Sequence, residues 1–184
     1  MQNQLDAKRR AILIAATGAA AAGLAGCRGN STEDRQLQFA SLAAAEAELE
    51  RLAQAGALAS SAAWSWAQTL AHCAQSIEFS MSGFPQSKSA LFQRTVGAAA
   101  LGVFSWRGRM SHDLAEPIPG APALDAAADP AQAMQRLRGA IAAFRAWTGA
   151  LRPHFAYGAL GKQDYELAHA MHLANHLSAF RAKA

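Results

Sequence analysis

The sequence predicts an all-α protein whose main domain is a helical bundle. Alanine and leucine, which favour helix, are abundant, whereas the strand-favouring residues are scarce, with two Tyr in 184 residues. Apolar residues recur at helical spacing in several long segments. Three of the six prolines fall in one stretch, at positions 117, 119 and 122, between two of these segments. Several amphipathic helices joined by connections of varied length are typical of a bundle.

The first 27 residues have the layout of an export signal. A basic run, Lys8–Arg10, precedes the uncharged apolar run Ala11–Ala22, and small residues follow. The apolar run is shorter than the roughly 20 residues that span a bilayer. The closing Leu24–Cys27 segment resembles the lipobox of bacterial lipoproteins, in which the cysteine is lipidated. We therefore expect a signal peptide over 1–26, a lipidated Cys27, and a lipoprotein anchored to a membrane of the cell envelope, facing the periplasm or the exterior.

Arg9-Arg10-Ala11-Ile12-Leu13 also resembles the twin-arginine export motif. Basic signal regions often contain paired arginines, so twin-arginine and general secretory export both remain open, as do the inner and the outer membrane. We expect residues 27–38, which include the polar run Arg28–Arg35, to form a tether. The helical domain is then expected over 39–184.

Charge and cysteine content restrict the function classes. Half of the formal net charge of +4 comes from the predicted signal, where Lys8, Arg9 and Arg10 outweigh Asp6. The remaining domain carries no basic stripe, so we expect no nucleic-acid partner. Cys73 is the one cysteine left after lipidation, which excludes an intramolecular disulfide. Cys73 is interpreted as a thiol packed in the core.

Turn and cap residues place the helices. Gly83-Phe84-Pro85 is a strong breaker, and Asp129-Pro130 is a helix start with the Asp as N-cap. The apolar run from Val96 to Trp106 is expected to be largely buried. The predicted elements are helices over about Ser41–Gln54, Ala62–Ser82, Ser87–Arg107, Pro130–Arg152 and Lys162–Phe180, with a loop over Ser111–Asp129.

Histidines supply the main functional signal. His169, His172 and His176 fall within an arc of roughly 60° on the last helix. His172 and His176 have the i,i+4 spacing that lets two imidazoles converge on one ion. His72 lies midway along the second helix, where it is expected to share a face with Trp64 and Gln68. Spacing alone leaves metal binding and ordinary packing both open, and the loop residues His112 and His154 are interpreted as surface or packed residues.

Two segments resemble a known family. Residues 64–85 (WSWAQTLAHCAQSIEFSMSGFP) resemble the second-helix signature of an uncharacterised branch of the DinB-like superfamily, and residues 165–177 (YELAHAMHLANHL) resemble its last-helix signature. The resemblance implies a four-helix bundle and a divalent metal held by His72, His172 and His176. Zinc, nickel, manganese and iron all suit three imidazoles. Three roles remain open for His169: a residue that hydrogen-bonds to a ligating histidine, an alternative ligand, or a group that contacts the substrate.

Two functions of different classes follow from the predicted metal site. One is a metal-dependent envelope enzyme acting on a small molecule, such as a thiol transferase or hydrolase. The other is a non-catalytic envelope lipoprotein with a structural or vestigial metal site. The sequence offers no convincing acid–base residue, because Glu78 points away from His72, and Asp164 and Glu166 are typical first-turn charges. The aromatic side chains are interpreted mainly as packing residues rather than as the lining of a pocket.

Overall fold

The computed structural model describes residues 34–183 as a mostly helical domain, which confirms the predicted helical character. The predicted signal over 1–26 and Cys27 lie outside the described residues. The described chain has five helices and two strands. The helices are α1 (Leu42–Ala53), α2 (Trp66–Ser82), α3 (residues 90–107), α4 (Pro130–Ala146) and α5 (Lys162–Leu177), and the strands are β1 (Leu58–Ser60) and β2 (Phe180–Ala182). Helix α3 consists of Ala90–Phe92, a π-helical Gln93–Gly97, and Ala98–Arg107.

Four of the five helices supply the hydrophobic core. Helix α2 packs along α4, and α5 packs against both α1 and α2. The apolar stripe of each helix faces inward, as the spacing predicts. Buried members include Leu49 of α1, Leu70 of α2, Phe144 of α4 and Leu173 of α5. Helix α3 lies to one side and contacts α5.

Local signals fix most helix ends. The Ser41 hydroxyl accepts from the backbone N–H of Ala44 at the start of α1. The Asp129 carboxylate accepts from the N–H of Gln132 at 2.8 Å, with Pro130 in the first turn of α4. Gly83 caps the end of α2 with a φ of +113°, which suits glycine. The predicted loop over 111–129 is confirmed, because it contains no helix or strand.

Four predicted boundaries were wrong. Helix α3 begins at Ala90 rather than about Ser87, because the Ser89 hydroxyl caps it. Helix α2 begins at Trp66 rather than Ala62, because Ser65 and Gln68 form a capping box there, so Trp64 precedes the helix. Helix α4 ends at Ala146 rather than near Arg152. At this end the Lys162 ammonium donates to the carbonyls of Phe144 and Trp147. Helix α5 ends at Leu177, and the chain continues into β2.

The two short strands were not predicted. They pair antiparallel, with Ala59 opposite Arg181 and Ser60 opposite Phe180. Neither strand contains a β-branched residue and each is three residues long, so strand propensity marks them only weakly. The pairing joins the segment after α1 to the segment after α5, and only the tertiary fold brings these segments together.

The predicted burial of the third helix was wrong. Leu91, Val96, Val103 and Trp106 are 69%, 57%, 49% and 86% exposed. An apolar run shows that a helix has apolar residues on several faces, but it does not show how many neighbours will cover them. Within residues 34–183, neighbouring segments cover one side of α3.

The covered side of α3 packs on the turn formed by residues 154–158. The Gln93 side-chain amide donates to the carbonyls of His154 and Phe155 at 3.3 and 3.1 Å. Gly97 is buried against Ala156. This close approach coincides with the π-helical segment, a departure from regular helix that often accompanies functional sites.

The Gly97→Ala variant is expected to unfold with a free energy lower by about 1–3 kcal/mol, as overpacking usually costs. A Cβ at position 97 would lie 1.9 Å from the carbonyl oxygen of Ala156. Gly102→Ala is the matched control, because its Cβ would meet nothing within 4 Å on the same helix. The control should be neutral or stabilising by up to about 1 kcal/mol. Urea unfolding measures both variants, and equal stability of the two would contradict the tight contact.

The first described residues lie against the helices. The Arg35 guanidinium pairs with the Glu48 carboxylate at 2.6 Å and donates to the Phe180 carbonyl at 2.6 Å. The Leu37 N–H donates to the Ser178 hydroxyl at 2.9 Å. The last part of the predicted tether therefore packs on the domain. Among the helices of residues 34–183, none has the length and apolar character needed to cross a bilayer.

Candidate metal centre

Three imidazoles from two helices converge at one point. His72 comes from the middle of α2, and His172 and His176 occupy successive turns of α5. The Nε2 atom of His172 lies 3.2 Å from Nε2 of His72 and 3.1 Å from Nε2 of His176. The three side chains offer one nitrogen each, and these nitrogens lie within 4.8 Å of one another. The structure thus brings together the three residues that the sequence singled out as ligands.

The nitrogen separations suit a divalent ion. Metal–nitrogen bonds are about 2.0–2.1 Å long. Two nitrogens 3.1 or 3.2 Å apart, as His172 and its two neighbours are, would then subtend an angle of about 100° at the ion. This angle lies between the octahedral and the tetrahedral value. Without a cation the same arrangement is poorly satisfied. One Nε2 of a neutral ring either donates one hydrogen bond or accepts through one lone pair, so His172 cannot bond fully to both neighbours.

All three rings are held neutral, the form that binds metals. Burial, together with the nearby His112, lowers the pKa of His72 to about 4. Burial is also the main cause that lowers the pKa of His172 and of His176 well below the usual range, and the neighbouring imidazoles add to it. Three lone pairs are therefore available at neutral pH.

Aromatic rings enclose the cluster. Trp64 stacks on His176 with a 6.2 Å separation of ring centroids and an interplanar angle of 7°, and it also packs on His72 at 4.9 Å. The ring of His112 lies 5.2 Å from those of both His172 and His176. The Nδ1 of His72 is buried without a partner among the described residues, whereas ligating histidines usually donate from the second nitrogen. Packing by Trp64 orients this ring instead.

Polar contacts bring the proline-rich loop over the site. Gln68 and Gln75 of α2 donate from their side chains to the carbonyls of Leu124 and Pro122, at 3.4 and 3.1 Å. Asn175 of α5 donates to the His112 carbonyl at 3.4 Å. These contacts place His112 beside the three converging imidazoles, where sequence reasoning did not expect it. Its position in a loop gave no periodic signal that could have found it.

A cavity of about 300 Å³ adjoins the cluster. His72 and His172 form part of its wall, so two of the three converging imidazoles face this partly open space. Lys88 and Glu116 contribute one charge of each sign, and both residues are exposed. Two of the aromatic residues interpreted as packing residues, Phe155 and Tyr157, also line the cavity. The remaining lining residues are Ser76, Phe92, Met110, His112, Pro117, Ile118, His154, Ala156, Ala168 and His169.

His169 lies beside the cluster but does not join it. Its ring stacks on Tyr165 at 5.3 Å and meets Phe144 edge-on at 5.1 Å. Its Nε2 is buried without a hydrogen-bond partner among the described residues. Burial lowers the pKa of His169 to about 3, so its ring is neutral. His169 also lines the cavity, and it is not among the three residues whose nitrogens converge.

His154 was interpreted as a surface or packed residue, and the structure shows it 8% exposed in the cavity wall. Its Nδ1 accepts from the N–H groups of Ala156 and Tyr157, at 3.1 and 3.2 Å. The proton of the neutral ring therefore lies on Nε2. Burial lowers the pKa of His154 to about 3. His154 thus organises the turn on which α3 packs.

The remaining polar candidates have structural partners. Glu78 binds Arg136 at 2.6 Å, consistent with the expectation that it is not a general base. Asp164 accepts from the N–H of Gly161 at 3.3 Å, as a first-turn charge does. Cys73 is 1% exposed, and burial raises the pKa of its thiol well above the usual range. The packed-thiol interpretation of Cys73 is confirmed.

The fold and the site define a helical domain with a three-histidine cluster beside a cavity. The chain belongs to the family described as "Protein of unknown function (DUF1569)", which matches residues 31–183. No curated protein and no solved structure matches the chain.

Proposed function

We propose that this domain binds one divalent metal through His72, His172 and His176 and acts on a small molecule held in the adjoining cavity. The observation that carries the proposal is the convergence of three neutral imidazole nitrogens beside a 300 Å³ cavity whose wall includes His72 and His172. Zinc, nickel, manganese and iron are the candidate ions. The predicted DinB-like four-helix bundle, with its metal ligands on the second and last helices, agrees with this assignment.

Three protein ligands favour a catalytic over a purely structural role. Structural zinc sites are closed by four protein ligands, whereas catalytic sites keep a position for water or substrate. An ion in such a site polarises a carbonyl, or lowers the pKa of a bound water or thiol. We therefore favour a metal-dependent transferase or hydrolase that acts on thiol or ester substrates.

The surrounding residues supply binding rather than a nucleophile. Phe92, Phe155 and Tyr157 give the cavity apolar walls, which exclude water from a bound molecule. His169 adds a neutral imidazole to the same wall. Cys73 is excluded as a nucleophile because it is buried in the core away from the cavity lining.

The proposal includes a place of action in the cell envelope. It rests on the signal-like residues 1–26 and on Cys27, the predicted lipid attachment point. A domain tethered there would meet envelope or imported compounds rather than abundant cytosolic thiols.

Metal analysis of the domain lacking residues 1–27 tests the proposal. After reconstitution with zinc, nickel, manganese or iron and removal of unbound ion, we expect about one ion per chain for at least one metal. Less than about 0.1 ion per chain for all four metals would overturn the proposal. If an ion binds, turnover is assayed on thiol and ester substrates with and without it. Stoichiometric binding without turnover would instead support the non-catalytic alternative.

A further inference from the structure

The outer side of α3 carries an exposed apolar face. Within residues 34–183 five large apolar side chains are exposed, and four of them belong to α3: Leu91, Val96, Val103 and Trp106. The fifth, Trp147, lies past the end of α4. Clustered exposed apolar residues on one helix indicate an interaction surface, whereas scattered ones do not. We call these four residues with Arg94 and Arg107 the α3 face.

The charges on the α3 face all have one sign. Arg94 and Arg107 are exposed, and Lys88 precedes the helix. From residue 90 to residue 109 the sequence contains no Asp or Glu. An apolar surface with a tryptophan and flanking cations is typical of helices that lie in the interface of an anionic bilayer.

A second copy of this chain fits the α3 face less well. In a two-fold pairing of the helix with itself, Arg94 and Arg107 would approach each other's copies or their own, with no carboxylate on the helix to neutralise them. An anionic bilayer supplies the negative charge in its headgroups, and its acyl region accepts the apolar side chains.

We propose that the α3 face lies on the surface of a bilayer containing anionic phospholipid. This contact is independent of the proposed metal and of the proposed lipid on Cys27, because it involves neither the three converging histidines nor residues 1–33. It also sets the position of the cavity. Phe92, a half-buried residue of α3, lines the cavity, so the helix that would contact the lipid also forms part of the cavity wall.

Vesicle co-sedimentation of the domain starting at residue 31 tests the proposal. The family match begins at this residue, and the described hydrophobic core lies within residues 39–180, so this segment has the features of an autonomously folding domain. We expect binding to vesicles of equal parts phosphatidylglycerol and phosphatidylcholine, weakened at high salt, and little binding to phosphatidylcholine alone. Equal binding to both compositions, or to neither, would overturn the proposal.

Two sets of variants locate the contact. The double variant Trp106→Ser/Val103→Ser should reduce binding to the anionic vesicles by about tenfold or more, because it removes apolar surface from the contact. Both side chains are exposed, so these substitutions leave the core unchanged. Arg94→Gln and Arg107→Gln should each reduce it by about fivefold. Trp147→Ser and Arg138→Gln are the matched controls, because they remove an exposed tryptophan and an exposed arginine elsewhere. Equal losses in the controls would overturn the assignment to α3.

Sedimentation velocity without lipid separates the bilayer from a protein partner. We expect a monomer at concentrations where vesicle binding is complete. A dimer that Trp106→Ser dissociates, with no vesicle binding by the wild-type domain, would overturn the proposal and assign the α3 face to self-association.

Discussion

Replacing His172 by alanine is expected to lower the affinity of the domain for a divalent metal by at least about a hundredfold. His172 is the central member of the cluster, since its Nε2 lies within 3.2 Å of the Nε2 atoms of both His72 and His176. Loss of a residue that only hydrogen-bonds to a ligating side chain already lowers metal affinity by about 10–100-fold. Loss of the central ligand should therefore cost more.

Competition with a chromophoric chelator measures this loss, and circular dichroism verifies that the variant is folded. His112→Ala is the matched control. Its imidazole lies 5.2 Å from that of His172, measured between ring centroids, but His112 is not one of the three converging residues. The control should retain stoichiometric metal with less than about a tenfold loss of affinity. Equal losses in the two variants would show that the three-residue assignment is wrong.

The metal-free domain is expected to lose stability steeply as the pH falls from about 6.5 to 5. Burial lowers the pKa of His154 and His169 to about 3 and of His72 to about 4. In the unfolded chain these groups titrate near the ordinary value of about 6.5. The unfolded state therefore binds more protons in this window, so lowering the pH favours unfolding. Stability is fully present above pH 6.5 and falls as the pH approaches the folded-state values.

The expected slope is about 1.4 kcal/mol per pH unit for each buried histidine, once the pH is well below 6.5. Urea unfolding at intervals from pH 7.5 to 5 measures it. His169→Gln keeps a hydrogen-bonding side chain that does not titrate, so its slope should be smaller by about one histidine's share. A wild-type free energy of unfolding that is constant over this range would contradict the neutral, buried state of these rings.

Helix positions were predictable because their signals are local. Ser41, Asp129 and Gly83 act on backbone groups within one helical turn, and the structure uses all three. The strands and the exposure of α3 were not predictable in the same way. Strand pairing and helix coverage depend on which distant segments meet, and neither β1 nor the apolar run of α3 carries that information.

The residues of the candidate site also differ in how far the sequence could predict them. The i,i+4 spacing of His172 and His176 and the position of His72 on a helix are periodic features, so the sequence could group them. His112, His154 and Glu116 reach the cavity from irregular segments, whose path is fixed by contacts such as those of Gln68 and Gln75 with the proline-rich loop. Spacing along the chain carries no signal for such placements.

The separation of the three histidines along the chain has a consequence for folding energetics. His72 and His172 are 100 positions apart, on helices that meet only in the folded state. An ion bound by both would act as a cross-link, and closing a loop of about 100 residues in the unfolded chain corresponds to about 4–5 kcal/mol in the chain-entropy view. Cys73, the free cysteine of the described residues, is buried and can form no comparable link. The ion would therefore take the place of a disulfide in restricting the unfolded chain, whatever chemistry it supports.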